Sequence, residues 1–71
     1  MHATDLERIA KLALRELGAG DAAITITQEP GGDRWRLQVG GSDPMTLLIR
    51  AGSGTTPQFV RTQIFEQFAA R

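Results

Sequence analysis

Apolar residues near the start of the chain recur at the spacing of an α-helix. The stripe consists of Leu6, Ile9, Ala10, Ala13 and Leu17, with Leu12 and Leu14 at its margins. Thr4 and Glu7 have the spacing of a capping box, and Gly18 is a typical helix stop. The pattern predicts a helix over residues 4–17 with Thr4 as its N-cap.

Three later segments alternate between apolar and polar residues, which is typical of half-buried strands. They cover residues 22–28, 34–39 and 45–50. Turn-forming residues fill both gaps, at residues 30–33 and residues 40–44. Connections this short favour hairpins, so we expect a three-stranded antiparallel sheet.

The last segment has the features of a second helix, ending near residue 70. Thr56 and Pro57 suit the N-cap and the first helical position. The apolar stripe that follows is Val60, Ile64 and Phe68, widened by Phe65. The element order is therefore α-β-β-β-α. We predict one domain over residues 1–71, an α+β two-layer sandwich in which both helices cover one face of the sheet.

The two turns also predict the register of the sheet. One face carries Ile24 with Val39 and Met45, Ile26 with Leu37 and Leu47, and Gln28 with Trp35 and Ile49. The other, called the open face below, carries Thr25 with Gln38 and Thr46, Thr27 with Arg36 and Leu48, and Glu29 with Arg34 and Arg50. A slip of one residue would mix the two faces, so their separation supports this register. The predicted core is Leu6, Ile9, Ala13, Leu17, Ile24, Ile26, Trp35, Leu37, Val39, Leu47, Ile49, Val60, Ile64 and Phe68.

Composition narrows the classes of function. The 71 residues include no cysteine, which excludes disulfides, cysteine-ligated zinc and a thiol nucleophile. The one histidine, His2, lies close to a terminus, and the acidic residues are dispersed. We therefore predict a protein that is not an enzyme and needs no cofactor or metal. No apolar run approaches the ~18 residues of a membrane span, so we expect a cytoplasmic protein with no membrane partner.

The charge balance alone does not favour nucleic-acid binding. Eight basic residues balance eight acidic ones, whereas nucleic-acid binders usually have a basic excess. Seven of the eight basic residues are arginine, which suits bidentate contact with phosphate or carboxylate. A codon bias toward GC-rich DNA would explain the same arginine content. The positions of the arginines are therefore more informative than their number.

The first candidate site is the open face, with Arg34, Arg36 and Arg50. Arg34 lies opposite Arg50 in the predicted register, and like charges directly opposite each other destabilise a sheet. One interpretation is that Glu29 and solvent offset this repulsion. The other is that the face binds an anion, a nucleic acid or an acidic partner. Leu48, apolar on the same face, favours a contact surface.

The second candidate is the glycine-rich segment before the last helix, which follows Arg50. It consists of Gly52, Ser53, Gly54, Thr55 and Thr56. Its glycines would let a phosphate approach the backbone, and the first N–H groups of the helix would attract an anion. The alternative is that Thr56 only caps the helix.

The third candidate is the basic stripe on the polar side of the first helix. It consists of Arg8, Lys11 and Arg15. Its charge is partly paired with Asp5 and Glu7 at helical spacing, so the favoured interpretation is an ordinary solvated helix face.

The element order, the length and the glycine-rich segment resemble the double-stranded-RNA-binding domain. The resemblance is one of topology and covers nearly the whole chain. It implies RNA contacts at the basic stripe, at residues 30–33 and at residues 52–58. The chain is also similar in order and size to small HicA-type toxins, whose RNA cleavage rests on a histidine in the strand region. This sequence has no histidine there, so that activity is not carried over.

The function predicted from the sequence is a small non-catalytic binding module. Its clustered arginines favour contact with RNA, DNA or another anionic partner. The alternative is a protein–protein or self-associating module that uses the open face or a sheet edge, with a weak homodimer as one form. Leu48 and Phe59 are the candidate protein contacts, because Phe59 lies off the apolar stripe of the last helix. Phe59 is therefore either exposed or packed against the preceding loop.

Overall fold

A computed structural model describes residues 2–41 and 44–70 of the chain. It confirms the order α-β-β-β-α and the α+β class. The elements are α1 Ala3–Glu16, β1 Ile24–Gln28, β2 Arg34–Val39, β3 Met45–Arg50 and α2 Pro57–Ala69. No helix among the described residues is long and apolar enough to cross a membrane.

The first helix begins earlier than predicted. Its N-cap is His2, in extended conformation, and the Asp5 carboxylate accepts a hydrogen bond from the His2 backbone N–H at 3.3 Å. The prediction that Thr4 is the N-cap was therefore wrong, because an acidic residue closes the capping arrangement two positions earlier. Glu7 instead forms an ion pair with Lys11, at 3.1 Å.

The first helix ends at Glu16, one residue before the predicted end, and the predicted stop Gly18 follows its C-cap Leu17. Gly18 has a φ of 83°, a left-handed conformation that costs a residue without a Cβ little. The Ala19 N–H donates to the Leu14 carbonyl at 2.7 Å, and the Gly18 N–H donates to the Arg15 carbonyl at 3.2 Å. These two bonds form a Schellman motif, which satisfies the last carbonyls of the helix.

The sheet is antiparallel in the order β1-β2-β3, and every predicted pair within the strands is confirmed. Glu29, predicted opposite Arg34, lies just beyond β1. β1 starts at Ile24 rather than at Ala22. Ala22 belongs to the preceding turn, where its N–H donates to the Ala19 carbonyl at 3.1 Å. Two residues of the second predicted turn, Ser42 and Asp43, lie outside the described residues.

Both helices pack on the apolar face of the sheet and share one core with it. The buried residues are Leu6, Ala10, Ala13, Leu14, Trp35, Leu37, Val39, Leu47, Ile49, Ala51, Val60 and Ile64. Leu14 and Leu12 were both predicted to lie at the margin of the apolar stripe. In the structure Leu14 is buried, with 1% of its surface exposed, whereas Leu12 is 52% exposed. The buried side of α1 is centred on Ala10 and Leu14, which turns Ile9 and Leu17 toward its rim.

Five residues of the predicted core are only half-buried and pack at its periphery. They are Ile9, Leu17, Ile24, Ile26 and Phe68. Ile24 and Ile26 belong to an edge strand, which has a neighbouring strand on one side only. Trp35 is buried as predicted, and its indole N–H donates to the buried carbonyl of Ala51 at 3.0 Å.

The two edges of the sheet differ. On the β3 edge, the Gln67 amide accepts from the Leu48 N–H at 2.9 Å and donates to the Leu48 carbonyl at 2.7 Å. Gln63, one turn earlier on α2, does the same for Arg50, with both contacts at 2.8 Å. Side chains of α2 therefore occupy backbone groups that an additional strand would use.

Candidate functional site

The open face places two arginines directly opposite each other. Arg34 of β2 and Arg50 of β3 are Cα partners, as the register predicted. The neighbouring pair along the two strands, Asp33 and Ala51, is hydrogen-bonded, with the Ala51 N–H donating to the Asp33 carbonyl at 2.9 Å. Pairs alternate along an antiparallel ladder, so Arg34 and Arg50 form a non-hydrogen-bonded pair, in which side chains approach most closely. The two arginine side chains thus start from directly opposite positions on the same face of the sheet.

Glu29 does not offset this repulsion as expected, because it pairs with the third arginine. Its carboxylate lies 2.7 Å from the Arg36 guanidinium, and both side chains remain partly exposed. Glu29 is joined to Arg34 through the backbone only, its N–H donating to the Arg34 carbonyl at 2.8 Å. Within residues 2–41 and 44–70, no carboxylate forms an ion pair with Arg34 or Arg50. The positive charge on the open face is therefore concentrated on these two side chains.

A broad, shallow depression connects the open face with the outer surface of α2. It has a volume of about 800 Å³. Among its lining residues are all three open-face arginines together with Leu48 and Phe59. Leu48 is 61% exposed and Phe59 is 52% exposed, which resolves the two interpretations of Phe59 in favour of the exposed one. The structure therefore combines the basic and apolar candidate residues into one surface.

Sequence reasoning missed the polar side chains that complete this depression. Gln63, Glu66 and Gln67 of α2 line it as well. Gln63 and Gln67 are one helical turn apart, a spacing that places both side chains on the same side of a helix. The spacing of the two glutamines can be read from the sequence, but their contact with β3 cannot.

The glycine-rich segment has the contacts of a helix cap. The Thr56 hydroxyl accepts from the Phe59 N–H at 3.2 Å, and the Thr55 hydroxyl accepts from the Gly52 N–H at 2.8 Å. Pro57, at the first helical position, has no N–H to offer. Several donors that a phosphate would need are thus already used or missing. The geometry favours the cap, and phosphate binding by this segment stays a prediction.

The basic stripe lies away from the open face. Because α1 covers the opposite face of the sheet, its polar side points away from Arg34 and Arg50. Lys11 is paired with Glu7, and no ion pair involves Arg8 or Arg15 among the described residues. Arg15 and Arg61 both line a groove between the two helices. Arg61 is itself held by Glu16 at 2.8 Å and lies 4.4 Å from the centre of the Phe65 ring.

The described part of the chain therefore presents two separate basic surfaces. The basic stripe corresponds to the first helix that the resemblance to double-stranded-RNA-binding domains implicates, whereas the open face does not. No protein-family model matches this chain, and no curated protein or solved structure matches it either.

Proposed function

We propose that the protein is a small, non-catalytic binding module whose open face binds single-stranded nucleic acid. The observation that carries the proposal is the pair Arg34 and Arg50, two exposed arginines at opposite positions of neighbouring strands that have no carboxylate partner among the described residues. Arginine presents several N–H donors in a planar fork that matches phosphate geometry. A phosphate bound between the two side chains would relieve their mutual repulsion.

The exposed aromatic ring supports single strands over duplexes. Phe59 lines the same depression as the two arginines, on the α2 side. Proteins that bind single strands without sequence readout combine a basic groove with aromatic side chains on which bases stack. A strand lying in the depression could place its phosphates against Arg34 and Arg50 and a base against Phe59. Arg36 contributes less, because Glu29 already neutralises it.

The test is a titration of a ten-nucleotide oligo(dT) at 50 and 200 mM salt. Neutralising two phosphates of a single strand predicts a logarithmic salt slope of about −1.4, or an affinity loss of about sevenfold over this range. The double variant Arg34→Gln/Arg50→Gln should abolish the salt-dependent binding. The matched control is Arg8→Gln/Arg15→Gln, which removes the same charge from the basic stripe and should leave binding unchanged.

The same variants distinguish the topological resemblance from the open-face proposal. With double-stranded RNA as the probe, a protein that binds like a double-stranded-RNA-binding domain would lose affinity in Arg8→Gln/Arg15→Gln. That outcome, with Arg34→Gln/Arg50→Gln unaffected, would contradict binding at the open face. Equal binding of all variants to both probes would contradict both proposals.

A second candidate function is protein–protein contact through the same depression. Leu48 and Phe59, both more than half exposed, support it. An apolar contact of this kind would depend little on salt, and Leu48→Ser would weaken it more than Arg34→Gln. Salt-insensitive capture of a protein, together with no oligo(dT) binding at 50 mM salt, would favour this function over the first.

A further inference from the structure

The outer edge of β1 is free, whereas side chains of α2 occupy the outward backbone groups of Leu48 and Arg50 on the β3 edge. The Glu29 N–H donates to the Arg34 carbonyl, and the Gly40 N–H donates to the Ala23 carbonyl. Bonding direction alternates along a strand, so the backbone groups of Ile24, Ile26 and Gln28 point away from β2. None of these groups has a hydrogen-bond partner within the described part of the chain.

Both ends of this free stretch are set by local chemistry. At the start, the Ala22 N–H is already used by the Ala19 carbonyl, at 3.1 Å. At the end, Pro30 stands at the next outward position and has no N–H. The free edge is therefore limited to β1 itself, and no side chain within β1 carries a charge that would discourage pairing.

We propose that this edge pairs with the β1 edge of a second copy of the chain, antiparallel and centred on Ile26. In that arrangement Ile26 faces Ile26 of the second copy, and Ile24 faces Gln28. Each of these pairs is of the hydrogen-bonded type, so every free N–H and C=O of the stretch gains a partner. The result is one continuous sheet of two three-stranded halves.

The side chains of β1 fit this register on both faces of the sheet. On the open face, Thr25 lies opposite Thr27 of the second copy, and cross-strand threonine pairs are favourable. On the helix-covered face, Ile24 and Ile26 are half-buried in the single chain and would lose further exposure. Glu29 meets Ala23 and Asp21 meets Gly31, so no like charges face each other. The strand is thus complementary to itself.

An interface of one short strand is small, and we expect a dissociation constant on the order of 0.1–1 mM. Sedimentation equilibrium up to millimolar concentration measures it. The variant Thr25→Glu/Thr27→Glu places like charges opposite each other twice and should weaken association at least tenfold. The matched control is Thr46→Glu, an exposed threonine on the same face of β3, which should not change it.

A mixing experiment tests whether Thr25→Glu/Thr27→Glu weakens association through charge repulsion and not through a loss of folding. Thr25→Lys places a lysine opposite the glutamate at position 27 of the first variant. An equimolar mixture of the two variants should form a heterodimer tighter than the homodimer of Thr25→Glu/Thr27→Glu. Circular dichroism establishes that each variant is folded.

Amide hydrogen exchange locates the contact. Raising the protein concentration should slow exchange at Ile24, Ile26 and Gln28, while Leu48 and Arg50 should be unaffected. A parent chain that stays monomeric at millimolar concentration would overturn the proposal. So would a Thr46→Glu effect equal to that of Thr25→Glu/Thr27→Glu, or protection confined to the β3 edge. The oligo(dT) titration is independent of these outcomes, because the proposed nucleic-acid surface lies across β2 and β3.

Discussion

Gln67 holds the backbone of Leu48 at both its N–H and its carbonyl, at 2.9 and 2.7 Å. This is the pair of bonds that a neighbouring strand would make, supplied here by a side chain of the covering helix. Gln63 repeats it at Arg50. The helix is thus joined to the sheet by polar contacts at its margin as well as by apolar packing beneath it.

The first prediction tests these margin contacts. Gln67→Met keeps the length of the side chain but removes both hydrogen bonds. We expect a loss of about 1 kcal/mol in the free energy of unfolding, because each exposed bond contributes modestly, and faster hydrogen exchange at the Leu48 amide. Chemical denaturation and exchange measure the two effects. Gln58→Met is the control, since Gln58 is an exposed residue of the same helix; equal behaviour of the two variants would contradict the assignment.

The second prediction concerns the indole N–H of Trp35. Trp35→Phe keeps an aromatic ring in the core but leaves the buried Ala51 carbonyl without its donor. An unsatisfied buried acceptor costs about 1–3 kcal/mol, and truncation to alanine should cost about 3–5 kcal/mol because it also opens a cavity. Urea denaturation of both variants gives the two values. A Trp35→Phe protein as stable as the parent would show that the bond to Ala51 contributes nothing.

The third prediction separates two threonines that the sequence pattern treats alike. Thr56→Ala removes the hydroxyl that caps α2 and should cost about 1 kcal/mol. Thr4→Ala should change stability by less than about 0.5 kcal/mol, because Thr4 lies within α1 and is exposed. Thermal denaturation of the two variants side by side measures the difference. A larger loss in Thr4→Ala would restore Thr4 as the cap.

The fourth prediction follows from the facing arginines. Arg34→Gln should raise the stability of the free protein by about 0.2–1 kcal/mol at low salt, because it removes a like charge from a close cross-strand pair. The gain should shrink at 0.5 M salt, where screening is strong. Arg36→Gln, which loses an ion pair with Glu29, should bring no gain. The free energy of unfolding of both variants, measured at low salt and at 0.5 M salt, tests this prediction. Identical changes in Arg34→Gln and Arg36→Gln would contradict a repulsive pair.

Most of the fold was predictable because its signals are local. The alternation of apolar and polar residues in β2 and β3, together with the turn residues between strands, is enough to predict the register. The N-cap of α2 at Thr56 and the helix stop at Gly18 could also be predicted from the sequence. The start of α1 was not, since Thr4 with Glu7 and His2 with Asp5 offer the same spacing and only the fold selects between them. The depth of Leu14 depended on how α1 is rotated over the sheet, which no local pattern encodes.

The candidate site was predictable in part. Register alone placed Arg34 beside Arg50 on the exposed side of the sheet. The register did not reveal that Glu29 forms its ion pair with Arg36. That pairing depends on how far the side chains extend and not on which residues lie opposite each other in the sheet. Nor did the register show that Phe59 lines the same depression as Leu48, because that depends on the angle at which α2 crosses the outer strand. Contacts between elements distant in sequence were therefore the part that needed the structure.

The two α2 glutamines that contact β3 also affect how many copies of the chain could join through their sheet edges. Repeated strand addition, the route to fibrils, needs two available edges on every chain, one for each neighbour. In this protein a strand arriving at β3 would first have to displace Gln63 and Gln67. Joining through β1 then uses the more accessible edge of both copies, and among the described residues it leaves a third chain only the partly occupied edge of β3. Two side-chain amides thus bias the chain toward a closed pair and away from open-ended growth.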